Sequence, residues 1–571
     1  MFGILWLKNF CFSEGGGNMN KRNILIQVCI VILGALLFLP GLDVVRLFDW
    51  DEINFAESAR EMLLTGDLLN VQINFESFWE KPPLFIWMQA LCMKIFGVGE
   101  MATRLPNAIA GIVTMLVLFN IGRRAGGERF GLLWTLLYVA SFFPFFYFKS
   151  GIIDPWFNLF IFLGIYFFSK YADPLQRGKM AWNAALSAMF IGLGILTKGP
   201  VAFLIFVLTF AVYLVMKKFR FEFRWKDVAI YSVVLCVVGG AWFLLQIATG
   251  HYSIIQDFIL YQIRLFQTQD AGHGGFLMYH FVILFFGVFP ASILALPVFR
   301  RRVLDRENKR ELAELFRWCM ISFWVVLILF TIVRTKIIHY SSFCYFPLTF
   351  MAAYSVSKML DGEIRYKRWM SVCIIAIASI FGLVITALTL FDRFKEHIYP
   401  LVEDPYTLKS MGATSEWIGF EPIIGVVLIV CAVVFCIRFR KRASVANLSI
   451  LCAGTIFFIF TTMLFAVDEV EKYSQAPAIE FYIDRQGEDC YIYPMEKSYA
   501  HYFYSARQPE NRCADREWLT AGDIDKPCYF VVKNDPKKIQ ELIDVVEDEV
   551  KLYEENGFVF YVRHPRPKVQ F

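Results

Sequence analysis

Apolar residues along this chain come in long unbroken runs. The first covers 23–40 (NILIQVCIVILGALLFLP), and comparable runs lie near 105–122, 129–148, 154–169, 181–196, 199–216, 228–248, 277–298, 318–333, 338–356, 370–390, 420–437 and 447–466. A helix needs about 20 apolar residues to cross a hydrocarbon core of ~30 Å, so these runs predict thirteen membrane spans. The stretch 83–97 (PLFIWMQALCMKIFG) is shorter and flanked by polar loop, which predicts a helix at the membrane interface, with 51–64 as a second interfacial helix before it. After residue 466 the pattern changes. CYIYPME and CYFVVKN read as strands, PKKIQELIDVVEDEV as an amphipathic helix, and VKLYEENGFVFYVRH as two strands around an Asn-Gly turn. The predicted fold class is an α-helical polytopic membrane protein with a small C-terminal α/β domain. It divides into a tail at 1–22, a membrane domain at 23–466 whose first long loop is 41–104, and the α/β domain at 467–571.

Composition agrees with the pattern. The 571 residues are 57% hydrophobic and only 19% charged, with 60 Phe, 14 Trp and a mean hydropathy of +0.51; soluble domains average about 25% charged residues. The net charge of +5 is not a nucleic-acid signal, because the basic residues sit in short clusters between spans. Those clusters (KR at 21–22, RRAGGER at 123–129, SKYADPLQRGK at 169–179, KKFRFEFRWK at 217–226, RRRVLDRENKR at 300–310, SKMLDGEIRYKR at 357–368 and RFRKR at 438–442) fall on alternate connections. That asymmetry predicts a cytoplasmic N-terminus and basic side, with 41–104 and 467–571 outside a bacterial inner membrane. Most of the 13 Cys lie inside apolar runs; only Cys490, Cys513 and Cys528 sit in polar sequence, enough for one disulfide at most. The start MFGILWLKNFCFSEGGGN is too short and too poorly flanked for a signal peptide, which points to Met19 as the start of translation.

With sides assigned, ionisable residues converge on the outer face. The first loop holds FDWDEINFAESAREML (48–63) and FESFWEKPP (75–83), with Asp49, Asp51, Glu52, Glu57, Glu80 and Lys81. Later outer turns bring Lys149 and Asp154 (KSGIIDPW), Lys198 (LTKGP), Arg264, Asp270 and His273 (QIRLFQTQDAGHGGF), and Arg334, Lys336, His339 and Tyr340 (VRTKIIHYSSFCYFP). Each has an ordinary use as well. Asp51 and Asp154-Pro155 suit helix N-caps, Lys198 an interfacial anchor, Tyr340 the aromatic belt and His273 a solvated loop. Capping and catalysis are compatible, since a carboxylate at a helix N-terminus is held ionised. No P-loop or dinucleotide-binding glycine motif is present, so no nucleotide is expected. A donor acting on that face arrives activated in the membrane, as a polyprenyl-phosphate-linked sugar. Basic groups or a metal would stabilise its leaving phosphate, and a carboxylate would deprotonate the acceptor.

At these residues the chain resembles the ArnT-like branch of the GT-C glycosyltransferases, relatives of the protein O-mannosyltransferases. Asp51-Glu52-Ile-Asn-Phe-Ala-Glu57 matches DExRYAE, and Phe78-Trp79-Glu80-Lys81-Pro82-Pro83 matches YFEKPP. Phe96–Pro106, Ile153-Asp154-Pro155, Leu196-Thr-Lys198-Gly199 and Lys336-Ile-Ile-His339-Tyr340 follow in order. The resemblance implies transfer of a sugar, 4-amino-4-deoxy-L-arabinose in the nearest branch, from polyprenyl phosphate to a lipid A-like or other lipid or glycan acceptor. It implies Asp51, with Glu52 beside it, and Asp154 as catalytic carboxylates, Asp51 being the base. Lys81, Arg264, Lys198, Lys336 and Tyr340 become contacts to the lipid phosphate. Glu80 and His273 would form a site for a divalent metal (Zn, Mg or Mn). Asn54-Phe55 replace the motif's Arg-Tyr, and Phe78-Trp79 replace its Tyr-Phe, which leaves the sugar open. A protein mannosyltransferase is the nearest alternative. A lipid flippase is the rival outside the enzymes, although it would more often place its ionisable groups mid-span.

Overall fold

The apolar runs fold as helices because a backbone in lipid must satisfy its hydrogen bonds within the segment. The computed structural model describes residues 21–173, 180–222, 224–267, 274–299, 307–512 and 515–566. Met19, His273 and Cys513 lie outside the described residues. Among the described residues, eight helices are long and apolar enough to cross a bilayer, or nine if a pair bent by 119°, Tyr279–Gly287 with Ala291–Phe299, counts as one span. These fall on nine of the thirteen predicted runs. The other four runs are helical at their expected places but shorter, interrupted or less apolar. The run at 129–148 is split into Glu128–Val139 and Phe142–Tyr147, and that at 199–216 is a 16-residue helix, Val201–Met216. The run at 154–169 is a helix whose polar ends and tyrosines lower its hydropathy. The run at 338–356 opens as a tight 3-10 segment, Ile338–Cys344, before its helix begins.

The elements that build the site are helix α1 (Asp51–Thr65), the hairpin β1 (Gln72–Ile73) and β2 (Glu76–Ser77), helix α2 (Leu84–Phe96) and helix α3 (Glu100–Gly126). With them come α4 (Asp154–Tyr171), α5 (Met180–Lys198), α6 (Tyr252–Gln267) and α7 (Arg310–Ile332). Interfacial helices were expected at 51–64 and 83–97. Helix α1 is instead buried on nearly every face, with only its ends accessible. Its Ile53, Phe55, Ala59 and Met62 pack with Phe85 and Ile86 of α2 and with Ile479, Phe481, Phe503 and Phe560 from beyond residue 466. The C-terminal domain, not lipid, covers it.

That domain holds a four-stranded sheet, β3 (Tyr491–Pro494), β4 (Cys528–Lys533), β5 (Val550–Glu555) and β6 (Phe558–Arg563), in the order β3-β4-β6-β5. β3 and β4 are parallel and the other neighbours antiparallel. Asn556-Gly557 joins β5 to β6, with Asn556 at φ 46, the left-handed region in which Asn is tolerated. Helix Pro536–Ile543 is capped by Asp535, whose carboxylate accepts the Lys537 N–H. Cys490 and Cys528 are separate buried thiols.

Candidate active site

Six of the predicted residues meet around one cavity of about 130 Å³: Asp51, Glu80, Lys81, Asp154, Lys198 and Tyr340. They come from five segments that only the fold brings together. Tyr261 and Gln262 of α6, His339, and an apolar wall including Phe55, Phe157, Phe330 and Val333 complete the lining.

Asp51 and Asp154 are each the first residue of a helix, and neither caps it. The expected N-cap geometry gives way to contacts across the cavity. Asp154, 3% exposed at its side chain, accepts from Lys198 Nζ at 2.7 Å and from Ser342 Oγ at 3.2 Å. Lys198 is presented by the end of α5. Gly199 follows at φ +91 and stops the helix, and a Cβ there would meet the Phe258 ring at 2.7 Å. The TKG motif thus encodes a helix end that aims its lysine at Asp154. The same ammonium lies over the rings of Phe157 and Tyr340, 5.6 Å from each centroid. Asp51 is the open carboxylate, 45% exposed, with His339 Nε2 at 3.4 Å from Oδ2. Glu80 accepts the Tyr261 hydroxyl at 3.1 Å, and Lys81 Nζ stands 3.9 Å from Glu80 and 5.3 Å over the Tyr261 ring.

Three predicted residues do other work. Glu52 is buried with Arg104: its oxygens take Arg104 Nε at 2.8 Å and Nη2 at 2.9 Å, and also the backbone N–H groups of Phe48 and Gly151. Arg104 spends its remaining donors on the carbonyls of Leu42, Val45 and Arg46. This pair ties the entry of the first loop to α3, so Glu52 is an architectural acid and not a catalytic one. Lys336 turns away from the cavity. Its Nζ donates to the carbonyls of Phe330, Thr331 and Val333 at 2.9, 2.7 and 2.6 Å, satisfying the C-terminal end of α7. Arg264 stacks on Tyr261, 5.2 Å from the ring centroid, and lies outside the lining. Sequence reasoning gave no role to Tyr261, His339 or Ser342. His339 stands in the Lys336–Tyr340 motif and is legible; Tyr261, inside an amphipathic helix, has no signal of its own.

The divalent-metal site fits only in part. Glu80 reaches the cavity, but His273 is outside the described residues, and among these no group of three or more His, Cys, Asp or Glu side chains is arranged to hold an ion.

Behind the cavity, α1 carries a second buried polar network. Arg60 grips both oxygens of Glu57 at 2.8 and 2.7 Å, and Glu61 accepts the N–H groups of Asn74 and Phe75 at 2.6 and 2.8 Å. Both of those residues have a φ of 58, so the Glu61 carboxyl secures a left-handed turn that Asn74 tolerates but Phe75 does not favour. Burial, with Glu57 beside it, pushes the Glu61 carboxyl up to about 8. Burial also raises the Asp49 carboxyl, against the hydrogen bonds from Ser498 and Tyr499.

Comparison with known proteins places this arrangement. Residues 80–242 match the family model for dolichyl-phosphate-mannose-protein mannosyltransferase. An undecaprenyl phosphate-alpha-4-amino-4-deoxy-L-arabinose arabinosyl transferase of Pectobacterium carotovorum is 24% identical over 402 residues, covering 69% of this chain and 70% of that protein. An uncharacterized protein of Aquifex aeolicus is 25% identical over 399 residues, 67% of this chain and 72% of its own length. The crystal structure of ArnT from Cupriavidus metallidurans bound to undecaprenyl phosphate shares the fold, with a TM-score of 0.73 at 17% identity over 95% of this chain and 98% of that one.

Proposed function

We infer the reaction from the family: the chain is an ArnT-like, protein-mannosyltransferase-like membrane glycosyltransferase of the GT-C class. Its substrate is a sugar carried on a polyprenyl phosphate, and it passes that sugar to a lipid A-like or other envelope acceptor. The N-terminus is cytoplasmic, and the site opens on the outer face of the inner membrane. The observation that carries this reading is the meeting of three carboxylates, two lysines and a histidine at one cavity with an apolar wall.

Each group has a task set by its surroundings. Asp51 is exposed enough to meet an acceptor and serves as general base, with His339 holding its other side. As the acceptor oxygen bonds to the sugar's anomeric carbon, that carbon's bond to the phosphate oxygen breaks, and the acceptor's proton passes to Asp51. The departing polyprenyl phosphate keeps the electron pair, and charge builds on its oxygens. Lys81 and the Tyr340 hydroxyl meet that charge from the cavity wall, held in advance where it builds. Lys198 is committed to Asp154, so the pair orients the site and adds little net charge. Glu80 and Tyr261 hold Lys81 in place. A divalent cation bound through Glu80 and His273 would add positive charge against the phosphate; no step here passes through it.

The test is transfer of label from a radiolabelled polyprenyl-phosphate sugar by the purified protein. Asp51→Asn and Glu80→Ala should abolish transfer while the protein stays folded and inserted. Near-wild-type turnover in Asp51→Asn would remove it as the base. The match to the mannosyltransferase model favours one second reading, a protein hydroxyl as acceptor, and an acceptor panel that includes a Ser/Thr-rich peptide separates the two.

A further inference from the structure

A groove of about 430 Å³ runs between the first loop and the C-terminal domain. Asn74 and Glu76 of the hairpin form one bank, and the segment from Ile492 to Tyr502 forms the other. Its size falls within the roughly 300–1,000 Å³ of small-molecule sites. Its residues touch the two positions that precede Asp51 in the chain. Tyr499 lines the groove and stands edge-on to Trp50, with ring centroids 5.5 Å apart, and its N–H donates to Asp49 Oδ1 at 3.3 Å. Lys497, also lining the groove, sits 4.6 Å over the Trp50 ring. Trp50 directly precedes Asp51 and is held at φ 106, a conformation a tryptophan adopts only when its surroundings impose it. The charge of Glu80 reaches the Tyr499 hydroxyl, which burial together with that charge pushes up to about 12.

The groove's chemistry is specific. Tyr493, Tyr499 and Tyr502 supply ring faces and hydroxyls, and Ser498 supplies a further hydroxyl. Glu76 pairs with Arg512, and Glu496 with Lys533 at 3.2 Å. Arg507 is spent on Asn74 and the Ile492 carbonyl, and its guanidinium lies 4.6 Å over the Tyr502 ring. His501 lies beneath, 4% exposed, and its Nδ1 has no hydrogen-bond partner. Such a polar surface does not suit a lipid tail, and its cations are already engaged, Arg512 and Lys533 on the carboxylates, Arg507 on Asn74 and Lys497 on the Trp50 ring, which leaves little charge for a polyphosphorylated headgroup. Stacking rings among hydrogen-bonding groups suit a sugar ring, whose faces are apolar and whose rim is hydroxyl.

We propose that this groove seats a neutral saccharide of the acceptor and presents one of its hydroxyls, past Trp50 and Tyr499, to Asp51. The proposal rests on the transferase reading above and names the acceptor's chemical class.

Two measurements on the full-length protein in detergent test it. The first is hydrogen exchange with and without a neutral glycolipid, diglucosyl diacylglycerol, which needs no catalysis. Amides of 72–77 and 491–502 should exchange more slowly with the glycolipid present; unchanged exchange there overturns the proposal. The second is transfer kinetics with the same glycolipid and with lipid A. Tyr502→Ala should raise the acceptor KM about tenfold, leaving the donor KM and the kcat at saturating acceptor near wild type, and Tyr502→Phe should recover most of the loss. An equal fall in kcat with both acceptors and no change in acceptor KM would mark Tyr502 as structural and overturn the proposal, as would exclusive use of lipid A. Should wild type protect these amides yet consume no donor, the transferase reading fails and the saccharide site stands.

Discussion

At the residue scale, the Asp154–Lys198 pair decides how the cavity holds its charge. Both groups are almost out of solvent, at 3% and 11% side-chain exposure, so each is the other's main compensation. Removing one partner of such a pair typically costs about 3–5 kcal/mol, because it leaves an uncompensated buried charge, whereas removing both is far milder. Lys198→Met should therefore lower thermal stability sharply, and adding Asp154→Asn should restore much of it. Additive losses in a double-mutant cycle would show the contact to be incidental. Glu52 obeys the same rule for a different end: Glu52→Gln weakens the grip on Arg104 and should reduce the folded, inserted fraction, with the protein that remains keeping its donor KM. Sequence could not separate Glu52 from Asp51. They are adjacent acids in one motif, and only the helix turn sends one to Arg104 and the other to the cavity. Lys336 was misread for a similar reason: a lysine near Tyr340 in the chain looked like a phosphate ligand, but the open carbonyls at the end of α7 lie closer to it than the cavity does.

At the element scale, the apolar runs were the most legible feature, since length and hydropathy alone set where a helix crosses lipid. What composition could not convey is the fate of α1. Its apolar positions suggested an interfacial helix, whereas Ile479, Phe481 and Phe560, more than 400 residues away, provide its cover. The buried Glu61 gives that packing a pH dependence. Its folded carboxyl, near 8, lies well above the ordinary 4.5, so the folded state holds a proton that the unfolded chain releases. The stabilisation is complete below about pH 4.5 and is lost as pH rises toward and through 8. Thermal unfolding followed from pH 5 to 9 should show the Tm falling across that window, and Glu61→Gln, which needs no proton, should flatten the slope. A slope unchanged in Glu61→Gln would assign the dependence to another group.

At the scale of the whole molecule, the proposed base, Asp51, belongs to the membrane domain in sequence but to both parts in space. Asp51 opens a helix whose core contacts include Phe503 and Phe560, and its two preceding residues are held by Lys497, Ser498 and Tyr499. The Leu47 N–H donates to the Tyr504 hydroxyl at 2.6 Å, and Arg46 reaches Glu471 through its own N–H at 3.0 Å, so the loop is tied to the C-terminal part along its whole entry. Each buried side chain of Phe or Ile size contributes about 1.5–3 kcal/mol, and Ile53, Phe55, Phe85 and Ile86 would lose part of that cover together if the domain were removed. A chain ending at residue 466 should therefore still insert, because its spans do not depend on the sheet. Its loop 41–83 should become open to protease, while the full-length protein resists cleavage there. Donor turnover should fall at least as far as in Asp51→Asn, since the base loses its seat along with the groove beside it. A truncated protein that resists cleavage and turns over donor normally would mean that α1 is held by the membrane domain alone, and the C-terminal domain would then be a cover and not part of the site.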